Sequence, residues 1–171
     1  MKDTITSVQI ALKNELQERN FYLEQSKRTS NAAGRQMFAL IAEDENEHYE
    51  RLKKLHEDML QQGKWPASVP AQIKNTNIMS ALRSITKFSS SAPPAGHDDR
   101  QAVKTAIDFE TKGFNFYTGL SADAETKSEK VFFNLLAAIE QEHLLSLQDT
   151  LLYFEDPAAW FSQMEKQGLD G

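Results

Sequence analysis

The chain repeats itself, and this repeat constrains the fold more than any other feature of the sequence. A shift of 95 residues aligns residues 11–52 with residues 106–147 without a gap, and 13 of these 42 positions are identical. The identical positions include acidic, aromatic and histidine residues, among them Glu15/Glu110, Tyr22/Tyr117, Glu45/Glu140 and His48/His143. Such self-similarity predicts two copies of one structural unit that pack against each other.

Each unit has the pattern of two helices. In residues 38–59 a seam recurs at steps of three and four residues, the spacing of a helix that faces a bundle core. Its members are Phe38, Ile41, Glu45, His48, Leu52, Leu55 and Met59. The equivalent seams of the other three helices also place a glutamate among apolar residues, at Glu15, Glu110 and Glu140. The sequence therefore predicts an all-α fold in which four helices each direct a carboxylate inwards.

The spacing of these glutamates places them at matching heights. Glu15 and Glu45 are 30 residues apart, as are Glu110 and Glu140, and polar stretches lie midway, near residues 30 and 125. Polar stretches of this kind are typical of helix–helix turns. Because helices rise by ~1.5 Å per residue, two arms of equal length bring each pair of glutamates level. We therefore predict two helical hairpins.

A long segment separates the hairpins. Residues 61–99 hold four of the five prolines and the run SSSAPPAGHDD. We predict a single domain over residues 1–171, with a hairpin over about 4–60, a crossover over about 61–99, a hairpin over about 100–154 and a short C-terminal helix over about 157–167. A link of this length favours hairpins in opposite senses. One short helix inside the crossover would contain Ile78, Met79, Leu82, Ile85 and Phe88.

Composition excludes several classes of partner and site. The net charge is −6 without a basic cluster, so we expect neither nucleic acid nor anionic membrane as a partner. The absence of cysteine excludes disulfides, thiolate metal sites and iron–sulfur clusters from this chain. No window approaches the roughly 18 apolar residues that span a bilayer, and the first residues lack the apolar run of a signal peptide. We expect a cytoplasmic protein.

Four inward-facing glutamates need compensating positive charge. Ionised carboxylates in a core are costly and repel each other, so without a metal we expect the pKa of some of them to be raised. Two divalent cations balance four carboxylates. His48 and His143 each follow a glutamate by three residues, which places both groups on one helix face. Oxygen-rich ligation with one imidazole per metal suits iron or manganese.

These residues carry a family resemblance. One glutamate from each of two helices, with Glu-x-x-His from each of the other two, resembles the ferritin-like di-iron carboxylate superfamily. The closer resemblance is to its rubrerythrin-like branch, on the A-x-x-x-E-x-x-x-x-N-F-Y pattern of helices one and three, the ENEH and EQEH pairs, and the tail DPAAWFSQMEKQGLDG. It implies a ferritin-like four-helix bundle with two iron ions per chain, manganese or zinc being alternatives. It also implies bridging by Glu45 and Glu140, terminal ligation by Glu15, Glu110, His48 and His143, and hydrogen bonds to ligands from Tyr22 and Tyr117.

The sequence departs from the rubrerythrin pattern in two respects. A chain without cysteine lacks the rubredoxin domain that supplies electrons in rubrerythrins, so the resemblance implies an external donor. Rubrerythrins also have a further glutamate on helix three, where this chain has Gly113, whereas Glu18 occupies the repeat-related position on helix one. Glu18 is either a seventh ligand or a carboxylate at a solvated edge of the seam. His56 and His97 lie outside the shared pattern, and we expect both to be exposed.

Three functions are compatible with this pattern. The first is an oxidoreductase that reduces hydrogen peroxide or dioxygen in defence against oxidative stress. The second is a ferroxidase or an iron-storage or iron-handling protein. The third is a helical interaction module with a structural metal site. By analogy with ferritin-like proteins we expect a homodimer, and the aromatic pair Trp160 and Phe161 would cap one bundle end or form a dimer contact.

Overall fold

The computed structural model describes residues 2–67, 69, 78, 80, 84 and 95–169. Within these ranges the chain forms five continuous helices and no strand. They are α1 (Lys2–Arg28), α2 (Ala32–Gln62), α3 (His97–Ala122), α4 (Lys127–Glu155) and α5 (Pro157–Leu169). α1 packs against α2, α3 packs against α4, and α5 packs against α4. The predicted all-α class is confirmed, with two helical hairpins that are consistent with a four-helix bundle and a short C-terminal helix.

The turns of the two hairpins lie at opposite ends of the bundle. The first turn packs against the start of α3, where the carboxylate of Asp99 accepts hydrogen bonds from the backbone N–H groups of Ser30 (3.0 Å) and Asn31 (3.1 Å). At the other end, the indole of Trp65, just after α2, donates to Ser128 at the start of α4 (3.2 Å). The hairpins therefore run in opposite senses, which is the arrangement that the long crossover predicts.

Local sequence signals begin and end the hairpin helices. The side chain of Asn31 caps α2 by accepting from the backbone N–H of Gly34 (3.1 Å). α2 ends at Gly63, whose φ of 64° lies in the left-handed region that glycine adopts without strain. Thr126 and Glu129 form a reciprocal capping box at the start of α4. These caps fix the turns near residues 30 and 125, and thereby the heights of the glutamates.

Two apolar clusters form the core, one towards each end of the bundle. The cluster on the side of the first turn includes Tyr22, Met37, Phe38, Ile41, Leu147 and Phe154. The cluster on the side of the second turn includes Val8, Leu52, Leu55, Tyr117, Phe133 and Leu136. The repeat is visible in their ring contacts, because Tyr22 stacks on Phe38 at 6.0 Å and Tyr117 stacks on Phe133 at 6.4 Å. Along each of the four long helices, the inward-facing glutamate lies between residues of the first cluster and residues of the second.

Two further sequence predictions concern the crossover and the C-terminal helix. Ile78 is buried in the first core cluster, whereas the other members of the predicted crossover helix lie outside the described residues. Trp160 of α5 is buried, and its indole donates to Asp149 of α4 (2.9 Å), while its neighbour Phe161 is 38% exposed. Trp160 therefore fastens α5 to the end of α4. Among the helices described, none is long and apolar enough to cross a membrane.

Candidate metal centre

The six residues predicted as metal ligands converge between the two hairpins. They come from all four long helices and are Glu15, Glu45, His48, Glu110, Glu140 and His143. Each of these residues is at most 1% exposed. Their convergence follows from the seam pattern, since each helix turns its apolar stripe, and the glutamate within it, towards the same core.

The six residues form two overlapping groups. The His48 group consists of Glu15, Glu45, His48 and Glu140, and the His143 group consists of Glu45, Glu110, Glu140 and His143. In each group, one ligand atom from every residue lies within 4.8 Å of the others. Glu45 and Glu140 belong to both groups. A carboxylate has two oxygens, so this overlap gives Glu45 and Glu140 the position from which each could contact two ions.

Both imidazoles direct Nδ1 towards the carboxylates. In His48, Nδ1 lies 3.2 Å from Oε2 of Glu15 and 3.2 Å from Oε2 of Glu45. In His143, Nδ1 lies 3.0 Å from Oε1 of Glu45 and 3.5 Å from Oε2 of Glu110. The two rings stack with their centroids 5.9 Å apart. Glu45 therefore lies between the two imidazoles, with one oxygen towards each.

Several buried polar atoms of these two groups lack a hydrogen bond of good geometry. They show whether a metal ion suits the cluster. Among the described residues, such atoms include Oε1 of Glu45, Oε2 of Glu110, both carboxylate oxygens of Glu140 and Nδ1 of His143, although four of these five have ion-pair contacts of 3.0 to 3.6 Å. A buried polar atom without a good hydrogen bond destabilises the fold, and repulsion between neighbouring carboxylate oxygens adds to this destabilisation. Cations held by these oxygens and by Nδ1 would satisfy them. A donor set of carboxylate oxygens with one imidazole on each side suits iron or manganese.

Two tyrosines hold carboxylates of this cluster in place across the hairpins. The hydroxyl of Tyr22 on α1 donates to Oε1 of Glu110 on α3. The hydroxyl of Tyr117 on α3 donates to Oε1 of Glu15 on α1. Both bonds are buried, and each leaves Oε2 of its glutamate directed towards an imidazole. Each tyrosine thus orients a glutamate of the opposite hairpin.

The charges of the cluster shift its pKa values in both directions. Burial, together with the charge of Glu45, raises the pKa of Glu15 to about 8, and burial also raises the pKa of Glu140. Glu45 shows the opposite shift, because His48 and His143 outweigh burial and hold its pKa well below its usual range. The carboxylates of Glu45 and Glu15 overcome burial in the same way and raise the pKa of His48 to about 10.

These values agree with one expectation from the sequence. Burial and repulsion were expected to raise the pKa of some of the glutamates, and this is confirmed for Glu15 and Glu140, whereas the pKa of Glu45 shifts in the opposite direction. In the metal-free cluster the two imidazoles carry protons that stabilise the carboxylate between them. Binding of cations must therefore displace protons from imidazoles as well as from carboxyl groups.

Other predicted residues have mixed outcomes. Glu18 is only 9% exposed, so it does not lie at a solvated edge, and it also lies outside both groups of candidate ligands. His97 is exposed as expected, whereas His56 is partly buried, so that expectation was wrong. Asp44 was not among the predicted site residues, and its Oδ2 lies 3.2 Å from Nε2 of His143. The repeat has Ile139 at the corresponding position, so the shared pattern gives no signal for this contact.

A cavity between α1 and α3 reaches towards the cluster. It has a volume of about 470 Å³ and is lined by Asn14, Gln17, Glu18, Phe109, Lys112, Gly113 and Phe116. Gly113 marks its inner side, because a Cβ atom there would lie 2.9 Å from Oε2 of Glu140. The backbone of α3 therefore approaches a carboxylate shared by both groups, and a side chain at this position would compete with it for space.

Comparison with protein families agrees with this geometry. Residues 7–80 match the Rubrerythrin family model. The matched segment contains the first hairpin with Glu15, Glu45 and His48, and the second hairpin carries the corresponding residues through the internal repeat. The match is consistent with a member of the ferritin-like di-iron superfamily and confirms the resemblance found in the sequence. No curated protein and no solved structure matched the chain.

Proposed function

We propose that this chain is a rubrerythrin-like dinuclear iron protein that reduces hydrogen peroxide or dioxygen with electrons from an external donor. The observation that carries the proposal is the pair of buried ligand groups that share Glu45 and Glu140. The match of residues 7–80 to the Rubrerythrin model supports it independently of the geometry. Manganese would fit the same donor set.

Each residue of the cluster then has a definite task. Glu45 and Glu140 would hold both ions, Glu15 and His48 would complete one site, and Glu110 and His143 would complete the other. Two ferrous ions bound there supply the two electrons that, with two protons, reduce one peroxide molecule to two water molecules. Tyr22 and Tyr117 keep one oxygen of each terminal glutamate fixed, so that the other oxygen stays directed inwards.

The cavity between α1 and α3 suits a small oxidant. The ligand residues are at most 1% exposed, so large reactants are excluded from direct contact with the centre. The cavity of about 470 Å³ is lined by Gly113, whose missing side chain leaves Glu140 next to the cavity wall. Peroxide and dioxygen are small enough to use this route, whereas a protein donor would have to deliver electrons from the surface.

The proposed reaction needs an electron donor, and the chain is also proposed to associate with a second copy. Because these 171 residues include no cysteine, they hold no thiolate redox centre, and we propose that the reductant comes from outside them. We propose a homodimer that acts in defence against oxidative stress.

Anaerobic loading with Fe²⁺ followed by separate additions of peroxide and dioxygen tests this function. In the presence of a reductant, we expect many equivalents of oxidant to be consumed per loaded chain. Continuous consumption of Fe²⁺ with release of Fe³⁺ would instead indicate a ferroxidase, and no redox change would indicate a structural metal site. Either of these results would contradict the proposed reaction. Glu140→Ala should abolish turnover, whereas Glu142→Ala, on the exposed side of the same helix, should retain it.

A further inference from the structure

The two halves of the cluster differ at two positions where the repeat would make them equal. Asp44 on α2 corresponds to Ile139 on α4, and Glu18 on α1 corresponds to Gly113 on α3. In both pairs the first hairpin carries a carboxylate and the second carries none. Asp44 contacts a candidate ligand directly, so this difference bears on the metal ions that we propose to bind there.

Asp44 contacts the ring nitrogen of His143 that faces away from the candidate ligands. Nε2 of His143 lies 3.2 Å from Oδ2 of Asp44, and both residues are buried. The other ring nitrogen, Nδ1, faces Glu45 and Glu110. When Nδ1 holds a cation, Nε2–H therefore donates to the Asp44 carboxylate. A carboxylate in this position fixes the tautomer and orientation of an imidazole ligand and makes it a stronger donor.

His48 lacks this support. Its Nδ1 also faces the carboxylates, but its buried Nε2 has no hydrogen-bond partner anywhere in the described part of the chain. The residue that corresponds to Asp44 is Ile139, which is buried and cannot accept a hydrogen bond. The His48 ring is therefore held by packing and by its inward-facing nitrogen, without a carboxylate behind it.

Glu18 is only 9% exposed, and it lies outside both groups of candidate ligands. It therefore does not distinguish the two groups, and the difference between them rests on Asp44. On the opposite side, Gly113 contributes no charge, and the carboxylate of Glu140 occupies the space that a side chain there would need.

We infer that the two metal positions are unequal and that the His143 group, Glu45, Glu110, Glu140 and His143, takes the first divalent cation. This inference rests on the proposed metal centre. The His143 group has the better oriented imidazole, because the buried carboxylate of Asp44 contacts Nε2 of His143, and this favours a cation. The His48 group fills second, with a weaker imidazole donor and with Glu45 and Glu140 already engaged.

Anaerobic titration with Mn²⁺, in which the electron paramagnetic resonance signal reports free ion, tests the order of filling. Sharing of Glu45 and Glu140 would weaken the second ion even in a symmetric site, so variants must decide which half fills first. We expect His48→Ala to retain the tighter site and His143→Ala to lose it. Asp44→Ile, which copies the other half, should weaken the tighter site about 10- to 100-fold and change the weaker site far less.

Two further variants keep the inference testable if Asp44→Ile does not fold. Asp44→Asn retains a hydrogen-bond acceptor without the charge, and we expect a smaller loss at the tighter site. Ile139→Asp should strengthen the second ion by placing a carboxylate behind His48. Loss of the tighter site in His48→Ala, or equal effects of Asp44→Asn on both ions, would overturn the inference. If the unaltered protein bound no Mn²⁺ or Fe²⁺, the proposed metal centre itself would be wrong, which is a distinguishable result.

Discussion

The hydroxyl of Tyr22 on α1 donates a hydrogen bond to Oε1 of Glu110 on α3, so a residue of the first hairpin orients a candidate ligand of the second. The repeat produces the reciprocal bond from Tyr117 to Glu15. Neither hairpin alone contains a complete ligand group, since both groups draw on residues from each. A complete ligand group therefore forms only when the two hairpins pack against each other.

Removal of the Tyr22 hydroxyl tests this coupling. Tyr22→Phe leaves Oε1 of buried Glu110 without its donor, and we expect the free energy of unfolding of metal-free protein to fall by about 1–3 kcal/mol. Metal affinity should also fall, because the carboxylate is no longer oriented. Urea unfolding in the presence of chelator measures the first effect. Tyr153→Phe is the matched control outside the cluster, and an equal loss in this control would show that the Glu110 bond has no special role.

Metal-free protein should lose stability as the pH rises. The folded-state pKa of Glu15 is about 8 against an ordinary value of 4.5, so its contribution is complete below pH 4.5 and is lost as the pH rises towards 8. The pKa of His48 is raised from 6.5 to about 10, so its contribution is complete below pH 6.5 and is lost between pH 6.5 and 10. Urea unfolding of chelated protein between pH 5 and 9 should show this decline.

Bound cations reverse this trend because they replace those protons. At 100 to 1,000 times the dissociation constant, metal should stabilise the fold by roughly 3–4 kcal/mol. We therefore expect loaded protein to melt about 10 °C above chelated protein at neutral pH. The difference should narrow towards pH 5 as protons displace the ions. Equal melting temperatures across the range would contradict the clustering of the four glutamates.

Gly113→Ala separates metal binding from folding. The new Cβ atom would lie 2.9 Å from Oε2 of Glu140, a flexible side-chain end that can move aside. Alanine also favours the helix by about 1 kcal/mol, so chelated protein should lose little stability. The displaced carboxylate belongs to both ligand groups, and we expect metal affinity to fall about tenfold or more. Gly119→Ala, with nothing within 4 Å of its Cβ position, should leave affinity unchanged.

Periodicity and the repeat predicted much of this architecture for physical reasons. Glu45 and His48 replace apolar residues in an unbroken seam, and a seam must face the core, so their inward direction was readable from the sequence. The turns at residues 29–31 and 123–126 lie where equal helix arms require them. What the sequence did not reveal depends on contacts between helices. Asp44 meets His143 across 99 positions of the chain, and no local pattern on α2 predicts that contact.

The charge state of the histidines in the metal-free chain also depends on contacts between helices. The ordinary pKa of histidine favours a neutral ring at pH 7. The folded chain places Glu45 and Glu15 within 3.2 Å of Nδ1 of His48, which reverses the balance. Such a shift depends on distances of a few ångströms between helices, so it required the structure.

Substitution of single ligands should distinguish shared from terminal positions. Because Glu45 and Glu140 belong to both groups, we expect Glu45→Ala and Glu140→Ala each to weaken binding of both ions. His48 belongs to one group, so His48→Ala should weaken mainly one ion. Metal content after equilibrium dialysis measures these losses, with Glu142→Ala as the exposed control. If Glu45→Ala and His48→Ala removed the same single ion, the assignment of Glu45 as a bridge would be wrong.

The most direct test of the dinuclear centre is the number of ferrous ions that the unaltered chain binds. Protein freed of metal by chelation would be titrated with Fe²⁺ under anaerobic conditions, separated from unbound ion, and analysed for iron and protein in the same sample. Two overlapping groups built from six buried residues predict saturation at two ions per chain. Saturation at one ion per chain, or no binding above that of a Glu45→Ala/Glu140→Ala double variant, would contradict the account.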